Sequence, residues 1–269
     1  MLKTRILTSL ILLPLVLVAI IGLPPISFSV VVGGMVLVGA WEWSLLAGLN
    51  NPKFRILYVA CVLLGLLLAA LFSPLWLLFF ALFIWIWILI AIINYQRNGL
   101  GAGFQFSPLR LVSGIIVLVT TWVSIVTLKT YPNFGPAWLI LVLFIIFGAD
   151  IGAYFAGNLA GKNTLCSRVS PKKTREGFVG GILLSVLIAA IGGLFLMLTW
   201  QHYLCLLLLS FVTALFSVVG DLGVSLLKRI SGLKDSGKFF PGHGGMLDRM
   251  DSVSAATVVF VFFALFLGL

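Results

Sequence analysis

Residues 55–93 read RILYVACVLLGLLLAALFSPLWLLFFALFIWIWILIAII. After Arg55 the only interruption is Ser73-Pro74, which separates an apolar run at 55–72 from another at 75–93. Each run suits a helix that crosses the roughly 30 Å of bilayer hydrocarbon, which takes about 17–25 residues. The two therefore read as a tight helical hairpin. The same reading applied outward finds nine spans: 6–22, 26–47, 55–72, 75–93, 110–128, 136–157, 178–199, 203–224 and 252–269. With 62% hydrophobic and 9% charged residues and a mean hydropathy of +1.24, a soluble domain is excluded. The expected fold is an all-α polytopic integral membrane protein of about nine transmembrane helices.

Basic residues set the expected topology. Sixteen of the 17 Lys and Arg fall on one side of a nine-span chain, and only Lys129 falls on the other. Positive loops stay cytoplasmic, so the N-terminus is expected in the cytoplasm and the C-terminus outside. Dropping or adding a mid-chain helix would destroy this segregation. The first span has a basic flank like a signal peptide, but it runs into Gly22-Leu23-Pro24-Pro25 with no small-residue cleavage site, so it is expected to be retained. The net charge of +10 follows from the basic loops and implies no nucleic acid. Cys61, Cys166 and Cys205 form no CxxC pair, and two histidines cannot build a His-rich metal site.

Acids divide the chain. Residues 1–128 hold one, Glu42, between Trp41 and Trp43; residues 129–269 hold the other six. The first part reads as scaffold or lipid-facing cavity. The second reads as the catalytic region, with polar cytoplasmic loops at 158–177 and 225–251. Glu42 itself has two readings, a structural hydrogen-bonding group or the lining of a cavity for a polar lipid head.

Asp150 sits seven residues before the expected end of its helix, about 10 Å below the boundary. Asp221 lies near the end of the next-to-last helix. Asp248 and Asp251 open the last one, with an i, i+3 spacing that puts both on one face. All four could converge at one depth. Each alone could be a structural salt bridge, but four clustered carboxylates repel one another unless a positive charge sits between them. Mg²⁺ held by carboxylates and substrate phosphates meets that need, and a second cation stays open. The candidate metal ligands are therefore Asp221, Asp248, Asp150 and Asp251.

Phosphate-binding groups surround the acids. Lys172, Lys173, Thr174 and Arg175 precede a helix expected to start near Phe178. The second loop adds Ser225, Lys228, Arg229, Asp235 and Arg249, with Gly244 and Gly245 allowing close backbone approach. Contact with anionic lipid headgroups accounts for some of the cations, but not for the interleaved Asp and Gly. Lys234 and His243 join Asp221, Asp248 and Asp251 as candidate catalytic residues, with His243 read either as an acid/base group or as a structural loop residue. The glycines 148, 152, 157 and 161 read as close helix packing. They are also compatible with a homodimer.

The run Ser225-x-Leu227-Lys228-Arg229-x4-Lys234-Asp235-x-Gly237-x2-Phe240-Pro241-x-His243-Gly244-Gly245-Met246-x-Asp248-Arg249-Met250-Asp251 resembles the signature of the phosphatidate cytidylyltransferases, or CDP-diacylglycerol synthases. Asp150–Phe155 and Ser170–Gly177 also resemble that family; residues 163–168 are unusual in composition but remove no expected ligand. The resemblance implies CTP and phosphatidate as substrates, CDP-diacylglycerol and pyrophosphate as products, and Mg²⁺ held at Asp221 and Asp248. It also implies a bacterial inner-membrane protein whose site faces the cytoplasm. The lipid phosphate is itself the nucleophile, so no strong general base is required. A CTP-dependent kinase acting on an isoprenoid alcohol is the alternative enzyme, and would lean on His243 or Asp235. A transporter would place its charges near the midplane and tend to show inverted repeats, neither of which appears here.

Overall fold

A computed structural model describes residues 14–132, 134–237, 239 and 244–269. Residues 14–22 are helical; the rest of the expected first span lies outside the described residues. The long helices are α1 (Pro25–Leu46), α2 (Pro52–Ala69), α3 (Pro74–Asn98), α4 (Ser107–Thr130), α5 (Pro136–Ala160), α6 (Arg175–Phe195), α7 (Trp200–Ile230) and α8 (Leu247–Leu267). These eight are each long and apolar enough to cross a membrane, and the chain is an integral membrane protein.

Local chemistry sets the helix starts. Proline occupies the first turn of α1 to α5, where its missing N–H removes a donor that has no intrahelical partner anyway. Thr174 caps α6 by accepting from the Gly177 N–H at 3.1 Å. Gly99, at φ 77°, ends α3 in the left-handed conformation.

Two expectations about the loops are corrected. Residues 158–177 are not irregular: Thr164–Cys166 (β1) and Ser170–Thr174 (β2) pair as an antiparallel hairpin, and α6 starts at Arg175 rather than Phe178. The Glu176 carboxylate accepts from the Lys162 and Asn163 backbone N–H groups at 3.1–3.3 Å and fixes the base of the hairpin. In addition, α7 continues past 224 to Ile230, because Leu226 and Leu227 stay fully buried and Lys228 and Arg229 suit its C-terminal dipole. Asp221 therefore lies nine residues inside α7, about 14 Å from its end.

Helix α8 is the most buried of the eight and packs against α7, α4 and α3. Gly220 is what lets α7 close on it: a Cβ there would overlap the carbonyl oxygen of Asp251. The α5–α6 pair is similarly close, since a Cβ on Gly181 would come within 2.6 Å of the Ala149 carbonyl. Inside the bundle the Ser124 and Thr257 hydroxyls join α4 to α8 at 2.7 Å.

Two buried cations are spent on helix C-termini. Arg110 donates to the Leu46 carbonyl at 3.0 Å, at the end of α1. Lys129, the exception to the charge segregation, donates to the Ala19 and Leu23 carbonyls at 3.2 and 2.6 Å and lies over the Phe28 ring. Its position is explained by carbonyls that need a donor.

Glu42 ties α1 to α8. Its Oε1 accepts from the Met246 N–H at 2.9 Å, and its Oε2 accepts from the Leu247 N–H and the Ser236 hydroxyl, both at 2.9 Å. A carboxylate at a helix N-terminus answers both the unpaired N–H groups and the dipole. These bonds match the first of its two sequence readings, and Glu42 also borders a groove, as the second requires. Glu42→Ala strands two buried backbone N–H groups, leaving the Ser236 hydroxyl with Asp248 alone, and should cost about 3 kcal/mol, lowering the melting temperature of the detergent-solubilised protein. Gly220→Val should separate α7 from α8 and yield a protein that unfolds earlier and runs as a broader peak in size-exclusion chromatography.

Candidate active site

Three carboxylates from three helices meet below the hairpin. Asp150 of α5, Asp221 of α7 and Asp251 of α8 lie within electrostatic range of one another and of Lys173 on β2. Lys173 forms an ion pair with Asp221, and both side chains remain about one quarter exposed. The Ser225 hydroxyl donates to Asp221 Oδ1 at 3.3 Å, one turn along α7. The Ser252 side chain faces the Asp150 carboxylate, and the Ser252 N–H donates to Asp251 Oδ1 at 2.7 Å. Close α7–α8 packing at Gly220 sets Asp221 beside Asp251, and α5–α6 packing brings Asp150 to the same place.

Asp248 has a separate set of partners. Its Oδ1 accepts from Lys228 Nζ at 2.7 Å, while Oδ2 accepts from the Ser236 N–H, the Ser236 hydroxyl and the Gly245 N–H, each at 3.0 Å. This carboxylate gathers both ends of the described part of the 225–251 loop. Gly245 is enclosed: a Cβ there would overlap the Ser236 hydroxyl and both oxygens of Glu42. Gly244 stands at φ 83° with its Cα turned toward Asp248. Among the described residues no three of His, Cys, Asp and Glu are near enough to enclose one ion.

The basic residues divide by partner. Strand alternation turns Lys173 inward and leaves Lys172 exposed on the other side of β2. Thr174 serves as a helix cap, and Arg175 is exposed beside it. Arg229 Nε donates to the Val169 carbonyl at 3.0 Å and anchors the hairpin turn to the end of α7. Arg249 is exposed on the first turn of α8. Lys234 and Asp235 line a groove with Trp41 and Arg55. His243 lies outside the described residues.

Three positions that organise this end went unread in the sequence. Gln96 holds the hairpin tip: its Nε2 donates to the Ser167 hydroxyl at 3.1 Å, and its Oε1 accepts from the Arg168 N–H at 3.0 Å and the Cys166 thiol at 3.4 Å. Burial raises the Cys166 thiol above its ordinary range, against the opposing pull of the Val169 backbone and Lys173. It stays a protonated donor rather than a nucleophile. Ser236, 1% exposed, bridges Glu42 and Asp248. Glu176 was visible only as one more acid in a basic loop. A polar side chain in a loop or at a helix end carries no long-range signal; Glu42 was the exception, because a lone acid within a span asks for a partner.

Comparison with known proteins places this arrangement. The model of the cytidylyltransferase family matches residues 3–267. A phosphatidate cytidylyltransferase of Pseudomonas aeruginosa is 39% identical over 97% of this chain and 96% of its own length. One of Haemophilus influenzae is 33% identical over 99% of both chains. One of Staphylococcus epidermidis is 45% identical over 44% of this chain and 45% of its own. The family match over nearly every residue and two relatives aligned along their full length lead to one conclusion: this chain belongs to the cytidylyltransferase family and is an enzyme of it.

Proposed function

We propose that the enzyme transfers the cytidylyl group of CTP to phosphatidate, giving CDP-diacylglycerol and pyrophosphate, at the cytoplasmic face of a bacterial inner membrane. The observation that carries this reading is the meeting of Asp150, Asp221 and Asp251 with Lys173 under a basic hairpin, at one end of a membrane bundle. The two long-range relatives named for this reaction support it.

The chemistry follows from charge. A phosphate monoester has a second pKa of about 6 and is largely dianionic at neutral pH. One of its oxygens attacks the α-phosphorus of CTP, a P–O bond forms there, and the bond to the β-phosphate breaks to release pyrophosphate. The barrier is anion meeting anion, so the protein's work is positioning and charge stabilisation. Lys172, Lys173 and Arg175 suit the triphosphate and the departing pyrophosphate. Lys173 would leave Asp221 for phosphate as substrate arrives.

The residues fit a hard divalent cation. All candidate donors are carboxylate oxygens, and the two that the family resemblance assigns to metal, Asp221 and Asp248, each hold an ammonium group already. Mg²⁺ binds through one or two carboxylates plus substrate phosphates, so it needs no cage built from protein alone. When bound it would supply charge neutralisation of the triphosphate. Asp221 would hold it with Asp251 and Asp150 nearby, and Asp248 would hold either a second cation or the loop that closes the site.

The test is transfer of label from α-labelled CTP into the organic phase in phosphatidate micelles. Phosphatidate-dependent transfer is expected; label moving instead from γ-labelled CTP to an isoprenoid alcohol would replace this reading with a lipid kinase. Asp221→Asn and Asp251→Asn should each lower kcat by about a hundredfold or more while leaving the melting temperature near that of the native protein. Asp248→Asn should lose both rate and stability, since it also releases Lys228, Ser236 and Gly245. Chelation should abolish transfer, and added Mg²⁺ should restore it.

A further inference from the structure

We propose that the groove between α1, α2 and residues 233–237 and 239 seats the lipid acceptor, and that Arg55 grips its phosphate; the identity of that acceptor rests on the function proposed above. The groove has a volume of about 590 Å³, within the range of small-ligand sites. One wall is a stripe on α1. Gly34, Val38, Trp41 and Leu45 recur at i, i+4, i+7 and i+11 and so share a face. Val38, Trp41 and Leu45 line the groove, and Gly34 continues it into the span with open space where a side chain would stand. The opposite wall is Leu233 and Phe239.

Cations crown this apolar slot. Arg55 and Lys234 both border it. The guanidinium lies over the Trp41 ring at 3.8 Å, donates to the Trp41 carbonyl at 2.8 Å and donates to the Ser44 hydroxyl at 3.2 Å. Those bonds use two of its five N–H groups and hold the group in place; among the described residues the others have no partner. Two carboxylates also border the groove. Glu42 is 4% exposed with its oxygens held by three donors, and Asp235 is exposed at the rim, so the lining is formally balanced and the N–H groups that Arg55 leaves open are what a phosphate would meet.

An apolar track that descends into the bilayer and ends at a preordered guanidinium matches one phosphomonoester lipid, with chain below and phosphate above. Ser236 closes the groove on its inner side and hydrogen-bonds Asp248 directly. A phosphate seated there would lie one side chain away from the Asp248 loop. Neither Arg55 nor the α1 stripe belongs to the signature motifs, so this site extends the machinery into the N-terminal helices.

The test separates the groove from the reaction. In mixed micelles, Arg55→Gln should raise KM for phosphatidate about tenfold, with KM for CTP and kcat unchanged. Gly34→Phe fills the stripe without touching a polar group and should act in the same direction without lowering the melting temperature. KM values for phosphatidate within about twofold of native in both variants would overturn the proposal. A phosphatidate carrying a photoreactive acyl chain gives a readout that needs no turnover. Label is expected on residues 31–45, removed by excess phosphatidate but not by phosphatidylcholine, and weakened by Arg55→Gln. Label confined to other helices overturns the groove whatever the transfer assay shows. Groove labelling in a protein that transfers no cytidylyl group would overturn the reaction and leave the lipid site standing.

Discussion

A single buried carboxylate, Glu42, sets the position of the α8 N-terminus. A helix that begins within a membrane bundle leaves backbone N–H groups that water cannot reach, and Glu42 accepts two of them together with the Ser236 hydroxyl. Asp248 lies one residue beyond that cap and Asp251 one turn further. The acid far from the signature motifs therefore aims the acids within them. Glu42 and the Asp248 hub share Ser236, so the two clamps form one network in which each member limits the freedom of the others.

The same economy governs the cations. Arg110 and Lys129 satisfy helix carbonyls, Arg229 anchors the hairpin turn, and Lys173 and Lys228 neutralise the carboxylates they face. The positive charge of this protein is thus only partly available to ligands. Lys172, Arg175 and Lys234 remain exposed. Lys173 is the one whose present partner and proposed substrate compete for the same ammonium, which suits a site that must be stable when empty and strongly positive when a polyanion arrives.

Much of the fold was legible because a bilayer leaves few choices. Hydropathy located the spans that the structure describes, and the Ser73-Pro74 break marked the turn between α2 and α3 to within a few residues. The sequence placed four acids at one depth; the structure brings Asp150, Asp221 and Asp251 within electrostatic range of one another and gives Asp248 partners of its own. The hairpin at 164–174 was not readable: β1 has three residues, its partner strand is dominated by Pro and Lys, and its stability comes from Gln96, Glu176 and Arg229 outside the strands. The extension of α7 to Ile230 was hidden for a related reason, since Lys228 and Arg229 look like loop until Asp248 and the Val169 carbonyl are seen beside them.

The amino-acid sequence by itself determined that the chain spans a membrane many times, where its spans fall and that six of its seven acids lie in residues 129–269. Those facts depend on composition and on short spacings, which local physics reads directly. Tertiary structure alone decided that Glu42 caps a helix more than 200 residues away, that Asp248 organises a loop while Asp221 and Asp251 come within electrostatic range of each other, and that Trp41 and Arg55 frame a groove with Ser236. Each of these depends on which helix faces touch. That is settled by glycines that permit close approach and by buried polar groups that must find partners across the bundle, neither of which has a period along the chain.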